Sequence, residues 1–175
     1  MARAFVSIGS NIDPETNVKK AVRRLAGMVR VAAVSTVYRT EPIGPSGQPL
    51  FYNCVVEIQT DAAPRELKFE LLRRIESELG RSRSNDKFAA RTIDLDLVLY
   101  GEVVMTTPDL TLPDPDITRR PFLAIPLAEL APGLVLPGSG LNIKEVAASL
   151  SPNTMKPLGT YTEHLRKEIL HERKQ

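Results

Sequence analysis

The 175 residues predict an α+β sandwich, a mostly antiparallel sheet with helices packed on one face and a mobile, loop-lined cleft. Three observations predict it. Segments of strand and helix character succeed one another as strand–helix–strand–strand–helix–strand, the split βαβ order of a ferredoxin-like sandwich. Both helical segments set their apolar residues at the helical period, so each has one face to bury. A loop rich in Pro and Gly and a loop rich in cations separate these elements, leaving the second sheet face accessible.

RAFVSIGS opens the chain as a strand that stops at Gly9-Ser10-Asn11. A helix follows in DPETNVKKAVRRLAGM: Asp13 can cap it, Pro14 suits its first turn and Glu15 complements the dipole. Its apolar positions are Val18, Ala21, Val22 and Leu25. VRVAAVSTVYRT and FYNCVVEIQT are strands, separated by EPIGPSGQPL, whose three Pro and two Gly mark an irregular loop. PRELKFELLRRIESEL is a helix with Leu67, Leu71, Leu72, Ile75 and Leu79 on one side, ended by Gly80. Glu76 falls at the border of that stripe, within reach of a cleft or of water. RTIDLDLVLY is the closing strand of the sandwich. GEVVMTTPDLTLPDPDITRR is loop-rich with room for a short hairpin, and PFLAIPLAEL and NIKEVAASL are short helices. Residues 1–159 are expected to form a single domain, and residues 160–175 a charged extension, a surface helix or a frayed end, with no assigned chemistry.

Composition narrows the function classes. With 42% hydrophobic and 25% charged residues the chain is ordinary globular protein, and a net charge of +2 gives no general case for nucleic acid. The single Cys54 cannot form an internal disulfide and sits in an apolar run, as expected of a buried thiol in a reducing compartment. No h-region opens the chain and no apolar run reaches the length of a span, so a cytoplasmic location is expected, with no membrane partner. Both histidines, His164 and His171, lie in the C-terminal stretch, where they are read as solvated side chains. The body of the domain must therefore work with carboxylates, Arg and Lys.

The closing strand carries the question of function. Side chains alternate along a strand, so Ile93, Leu95, Leu97 and Leu99 share one face and Asp94 and Asp96 the other, roughly 6–7 Å apart at the backbone. Just upstream, Arg81, Arg83, Lys87 and Arg91 fall within eleven residues that contain one acid, Asp86. A charge run is most often a solvated face, and paired carboxylates on an open sheet face are often plain polar surface. Together they suit Mg²⁺-dependent phosphoryl chemistry: carboxylates hold a hard cation that bridges phosphate oxygens, and Arg forks neutralise the polyphosphate. Neither G-x-x-x-x-G-K-[ST] nor G-x-G-x-x-G occurs, so side chains must supply the phosphate grip.

SIGSN, VYRTEPIG, FYNCVVEI, RIESELGRSRSNDKFAARTIDLDLVLYG, LTLPDPD and RRPFLAIPLAELAP occur in this order. In order and spacing they resemble the 6-hydroxymethyl-7,8-dihydropterin pyrophosphokinase family over roughly residues 3–150, most specifically in RTIDLDL. The resemblance implies transfer of the β,γ-diphosphate of ATP to the hydroxymethyl group of a reduced pterin, with release of AMP, in folate biosynthesis. It implies a monomer with a ferredoxin-like fold. Asp94 and Asp96 would bind two Mg²⁺ ions, and Arg81 and Arg91 would be catalytic cations. Arg83, Lys87 and Arg120 would contact phosphates or ribose, with Glu76 and Phe88 also on the nucleotide side. Thr40, Pro42, Ile43, Gly44, Phe51, Asn53 and Phe122 would meet the pterin. These residue types fit that ligand, since a flat heterocycle suits aromatic faces and its amide-like edge needs a donor and an acceptor. The cationic loop is expected to close over ATP, bringing in Arg83 and Lys87.

The sequence departs from the family pattern at Asp114, where a His is common, followed by Pro115 in place of an aromatic residue. A carboxylate cannot donate to phosphate, so weaker ATP binding is expected. Phe88 stands where a Trp can occur, and Phe51 where a Tyr can. Two other readings compete. A D-x-D glycosyltransferase needs a larger doubly wound domain. A ferredoxin-like RNA-binding module needs exposed aromatics on its central strands, which are missing.

Overall fold

A computed structural model describes residues 1–152 and 154–172, the last three by backbone alone. The elements are β1 (Ala2–Ser10), α1 (Pro14–Ala26), β2 (Arg30–Val34), β3 (Tyr38–Thr40), β4 (Phe51–Thr60), α2 (residues 64–78) and β5 (Asp94–Tyr100). They continue with the hairpin β6 (Met105–Thr106) and β7 (Thr111–Leu112), then α3 (Pro121–Leu130), α4 (Ile143–Ser149), β8 (Met155–Pro157) and α5 (Gly159–Glu172). The main sheet runs β5-β1-β4-β3-β8, with β2 also beside β4, and all its pairings are antiparallel. This is the expected ferredoxin-like α+β arrangement.

Local chemistry explains where elements start and break. The segment read as one strand, VRVAAVSTVYRT, splits into β2 and β3 because side-chain hydroxyls replace ladder carbonyls in its middle. Ser35 Oγ accepts from Val55 N (2.9 Å), and Val37 N donates to Thr162 Oγ1 (2.9 Å), so both buried amides are satisfied. The expected Asp13 cap does not form: Asp13 has φ 40° and makes no side-chain capping bond. In α2 the segment Leu67–Leu72 is π-helical, which lets Leu67 and Leu72, five residues apart, both face the core.

One face of the sheet, with Ala4, Val6, Ile8, Val56, Ile58, Leu95 and Leu97, packs against α1 and α2. The expectation that helices leave the other face open holds only at one end. At the far end Phe5, Val55, Val98 and Leu99 pack against Leu123, Ala124 and Leu127 of α3 and Ile143 and Val146 of α4. Leu99 is therefore on the opposite face from the one its alternation predicts. The cause is a register irregularity between Phe5 and Val6, where Phe5 pairs with Leu99 and Val6 with Leu97, leaving Val98 bulged.

Residues 159–172 form a helix docked on the sandwich. Leu165 and Ile169 join the core, Tyr161 Oη donates to Glu15 O (2.6 Å), Arg166 Nε donates to Val34 O (2.9 Å), and Lys19 pairs with Glu168 (2.6 Å). Burying two aliphatic side chains is worth about 3–6 kcal/mol. His164 is exposed, as expected, whereas the expectation for His171 lies outside the described side chains. No helix among the described residues is long and apolar enough to cross a membrane.

Candidate active site

The open end of the sheet is where β5, β1 and β4 present polar residues on the face away from α1 and α2. Register aligns them: Asp94 lies opposite Gly9, Asp96 opposite Ser7, and Gly9 opposite Asn53. Gly9 leaves room there, because a Cβ would stand 2.7 Å from Asn53 Oδ1 and displace that amide. A cleft of about 490 Å³ opens above this floor. Its acids are Glu41, Asp94, Asp96, Asp114 and Asp116, its cations Lys87, Arg91 and Arg120, and its apolar faces include Ile43, Phe51, Phe88, Phe122 and Leu123. A wider depression of about 730 Å³ beside Arg3, Glu102 and residues 130–140 has no comparable set, since Arg3 is already paired with Glu57 at 2.7 Å.

Arg91 Nη1 donates to Asp94 Oδ2 at 2.8 Å. Burial pushes the Asp96 carboxyl up to about 6, and the charges of Asp94 and Asp114 add to the rise while Lys68 and Arg91 oppose it. Asp114 is also pushed up by burial. Its loop is fixed by Asp114 N donating to the bulged Val98 carbonyl (2.8 Å), while its Oδ1 accepts from Asp116 N (2.8 Å) and caps the short 3₁₀ turn Pro115–Thr118. Carboxylates that raise one another's proton affinity are poised to gain from a cation. Among the described residues no three metal-ligating side chains form a cage. Two carboxylates nonetheless fit Mg²⁺, which keeps waters and takes further oxygens from phosphates. Asn53 Nδ2 donates to Thr40 Oγ1 (2.6 Å), and its Oδ1 makes no hydrogen bond among the described residues, leaving an acceptor facing the cleft.

The structure brings together Thr40, Ile43, Phe51, Asn53, Lys87, Phe88, Arg91, Asp94, Asp96, Arg120 and Phe122 in the cleft lining. Pro42, Gly44, Glu76, Arg81 and Arg83 lie outside it. Gly44, at φ 112°, sits under the Phe88 ring, where a Cβ would meet Phe88 Cδ1 at 2.6 Å. Glu76, which the sequence left at a border, is 3% exposed. Its Oε1 accepts from Leu95 N (2.9 Å) on the edge strand and its Oε2 from Arg83 Nη2 (2.8 Å). Burial raises its carboxyl to about 7, against the lowering effect of the Leu95 N–H, with Asp94 adding to the rise. Arg83 is thus turned to Glu76 and away from the cleft, and Arg81 Nη1 donates to Ser82 O (2.7 Å). Sequence reasoning missed Ser7, Gly9, Glu41, Gln48, Cys54, Asp116 and Leu123 as lining residues. For Gly9 the signal was present: a glycine inside a strand marks a close approach.

The family model described as 7,8-dihydro-6-hydroxymethylpterin-pyrophosphokinase matches residues 5–132. A 2-amino-4-hydroxy-6-hydroxymethyldihydropteridine pyrophosphokinase of Haemophilus influenzae is 35% identical over 158 residues, covering 89% of this chain and 97% of that protein. Its namesake in Bacillus subtilis is 42% identical over 130 residues, 73% of this chain and 77% of that one. Among solved structures, a Plasmodium falciparum HPPK-DHPS superposes with a TM-score of 0.65 at 11% identity. The match covers 85% of this chain but only 44% of that one, and it speaks for the fold alone.

Proposed function

The chain belongs to the 7,8-dihydro-6-hydroxymethylpterin-pyrophosphokinase family, and on that premise we propose that it moves the β,γ-diphosphate of ATP onto the hydroxymethyl group of 6-hydroxymethyl-7,8-dihydropterin, releasing AMP, as a step of folate biosynthesis. The observation that carries this reading is the placement of Asp94 and Asp96 on one sheet face beside Arg91, in a cleft that also holds Phe51, Asn53 and Phe122. One end suits a triphosphate and the other a flat heterocycle.

Asp94 and Asp96 would hold two Mg²⁺ ions, which when bound neutralise the triphosphate and the charge that develops on the leaving oxygen. The cleft residues do the rest. Phe51 and Phe122 offer apolar surface to the pterin rings, and Asn53 Oδ1 accepts from a ring N–H. Arg91, tied to Asp94, and Lys87 and Arg120 hold phosphate oxygens. The pterin hydroxyl oxygen attacks the β-phosphorus in line, and the bond from that phosphorus to the oxygen of the α-phosphate breaks, its electron pair leaving with AMP. The hydroxyl proton passes to the medium or to Asp96; among the described residues no histidine lines the cleft. Arg81 and Arg83 enter only when the loop of residues 81–91 rearranges around the nucleotide, which requires Arg83 to leave Glu76.

An AMP-release assay with ATP, Mg²⁺ and the pterin tests the proposal. Asp94→Asn and Arg91→Ala should each lower kcat at least a hundredfold in folded protein. Wild-type turnover in either variant would refute the assignment.

A further inference from the structure

Asn11 closes the SIGSN segment one residue beyond β1. It is 3% exposed and does not line the cleft. Its N–H and both polar ends of its side chain are engaged. Its N–H donates to Arg91 O (3.1 Å), its Oδ1 accepts from Arg91 N (2.7 Å), and its Nδ2 donates to Pro49 O (3.4 Å). Next to it Ser10, fully buried, donates from Oγ to Thr92 O (2.5 Å).

The β1–β5 ladder ends at the Gly9–Asp94 pair. Ser10 and Asn11 carry it on by side chain, so that Thr92 and Arg91 are held although neither belongs to β5. Arg91 is the residue whose placement matters, because its guanidinium meets Asp94 at 2.8 Å. The third bond reaches the other substrate loop. Pro49 stands at the foot of the segment that carries Ile43, and the two loops also meet at their tips. There Gln48 Nε2 donates to the Phe88 carbonyl, and Gly44 lies under the Phe88 ring. Asn11 therefore ties the feet of both loops to the same sheet end.

We infer that Asn11 is a positioning residue for both substrates, holding Arg91 against Asp94 through Oδ1 and the pterin-side loop through Nδ2. The inference rests on the role proposed above for Arg91. These two bonds dictate the side-chain type, since one planar group must accept on one side and donate on the other. Aspartate supplies only acceptors and would turn one toward the Pro49 carbonyl, whereas alanine leaves the Arg91 N–H without its partner.

A double-mutant cycle tests this, with kcat for AMP release, the pterin KM, the Kd of a non-hydrolysable Mg²⁺–ATP analogue and Tm measured for each protein. Asn11→Ala should lower kcat about thirtyfold while changing the analogue Kd less than threefold. In an Arg91→Ala background the same substitution should lower kcat less than twofold, because the group it positions is gone. Asn11→Asp keeps the Arg91 bond and should retain kcat within about fivefold, but raise the pterin KM at least fivefold. An equal kcat loss from Asn11→Ala in both backgrounds would overturn the inference, as would wild-type kinetics for Asn11→Ala. Should Asn11→Ala fail to fold, Asn11→Asp decides alone, and an unchanged pterin KM in that variant overturns the inference. If Arg91→Ala itself keeps wild-type kcat, the parent reading fails instead, which separates the two.

Discussion

Glu76→Gln should make the protein more stable in neutral solution while loosening the cationic loop. The carboxyl is buried against the β5 edge and its proton affinity rises from an ordinary 4.5 to about 7. Between those values the folded protein binds more protons than the unfolded chain, so stability falls as pH rises through this window. A displacement of about 2–3 pH units corresponds to about 3–4 kcal/mol above pH 7. Glutamine keeps an acceptor for the Leu95 N–H but loses the ion pair to Arg83, which is 61% exposed and so worth under about 1 kcal/mol. An amide N–H2 facing the Arg83 guanidinium offsets a further part, leaving a net gain of about 1–2 kcal/mol, or roughly 2–8 °C in Tm for a chain of this size. Denaturant unfolding of wild type and variant at pH 5 and pH 8 measures it. The two proteins should be alike at pH 5 within about 1 kcal/mol and separate at pH 8 with the variant ahead. A variant equal to or weaker than wild type at pH 8 would refute the idea that Glu76 is held ionised at a cost. The same variant should be cut faster by trypsin within residues 81–91.

Three further outcomes follow from single positions. Gly9→Ala pushes a methyl against Asn53 Oδ1 and should raise the pterin KM about tenfold or more, read in the same AMP-release assay, with Tm lowered by a few degrees. Asp114→His removes a carboxylate from the phosphate side and should lower the Kd of Mg²⁺–ATP about three- to tenfold by calorimetry; an unchanged Kd would sink the electrostatic account of this position. Leu165→Ala, in the docked C-terminal helix, should cost about 2–4 kcal/mol in denaturant unfolding with kcat nearly unchanged, since the side chain is 2% exposed and remote from the cleft.

Most of the sandwich is legible in the residues, because its elements are strongly periodic and bounded by Gly, Pro and polar clusters. What escapes has identifiable causes. Alternation assigns Leu99 to the wrong face because one extra residue, Val98, resets the period, and no local feature of DLDLVLY marks it. PFLAIPLAEL reads as a helix, but which sheet face it covers depends on contacts with Phe5 and Val55, more than sixty residues away in the chain. The C-terminal helix looks polar because only Leu165 and Ile169 of its described apolar residues are fully buried, and its docking rests on Glu15, Lys19 and Val34. In the site, the pairing of Asp94 with Asp96 follows from strand geometry alone. Where Arg83 turns does not, because a long side chain in a loop chooses its partner by tertiary placement, and the buried Glu76 is nearer than the cleft.

The bulge at Val98 joins two parts of the molecule. Without that residue the pleat would still be regular, with Leu97 and Leu99 each in the layer it occupies now. What would vanish is a buried valine side chain and the carbonyl that receives the Asp114 amide. A one-codon deletion there would take one valine out of the α3 layer and unhook the loop that carries Asp114, so the same extra residue serves the interior and the acidic end of the cleft at once.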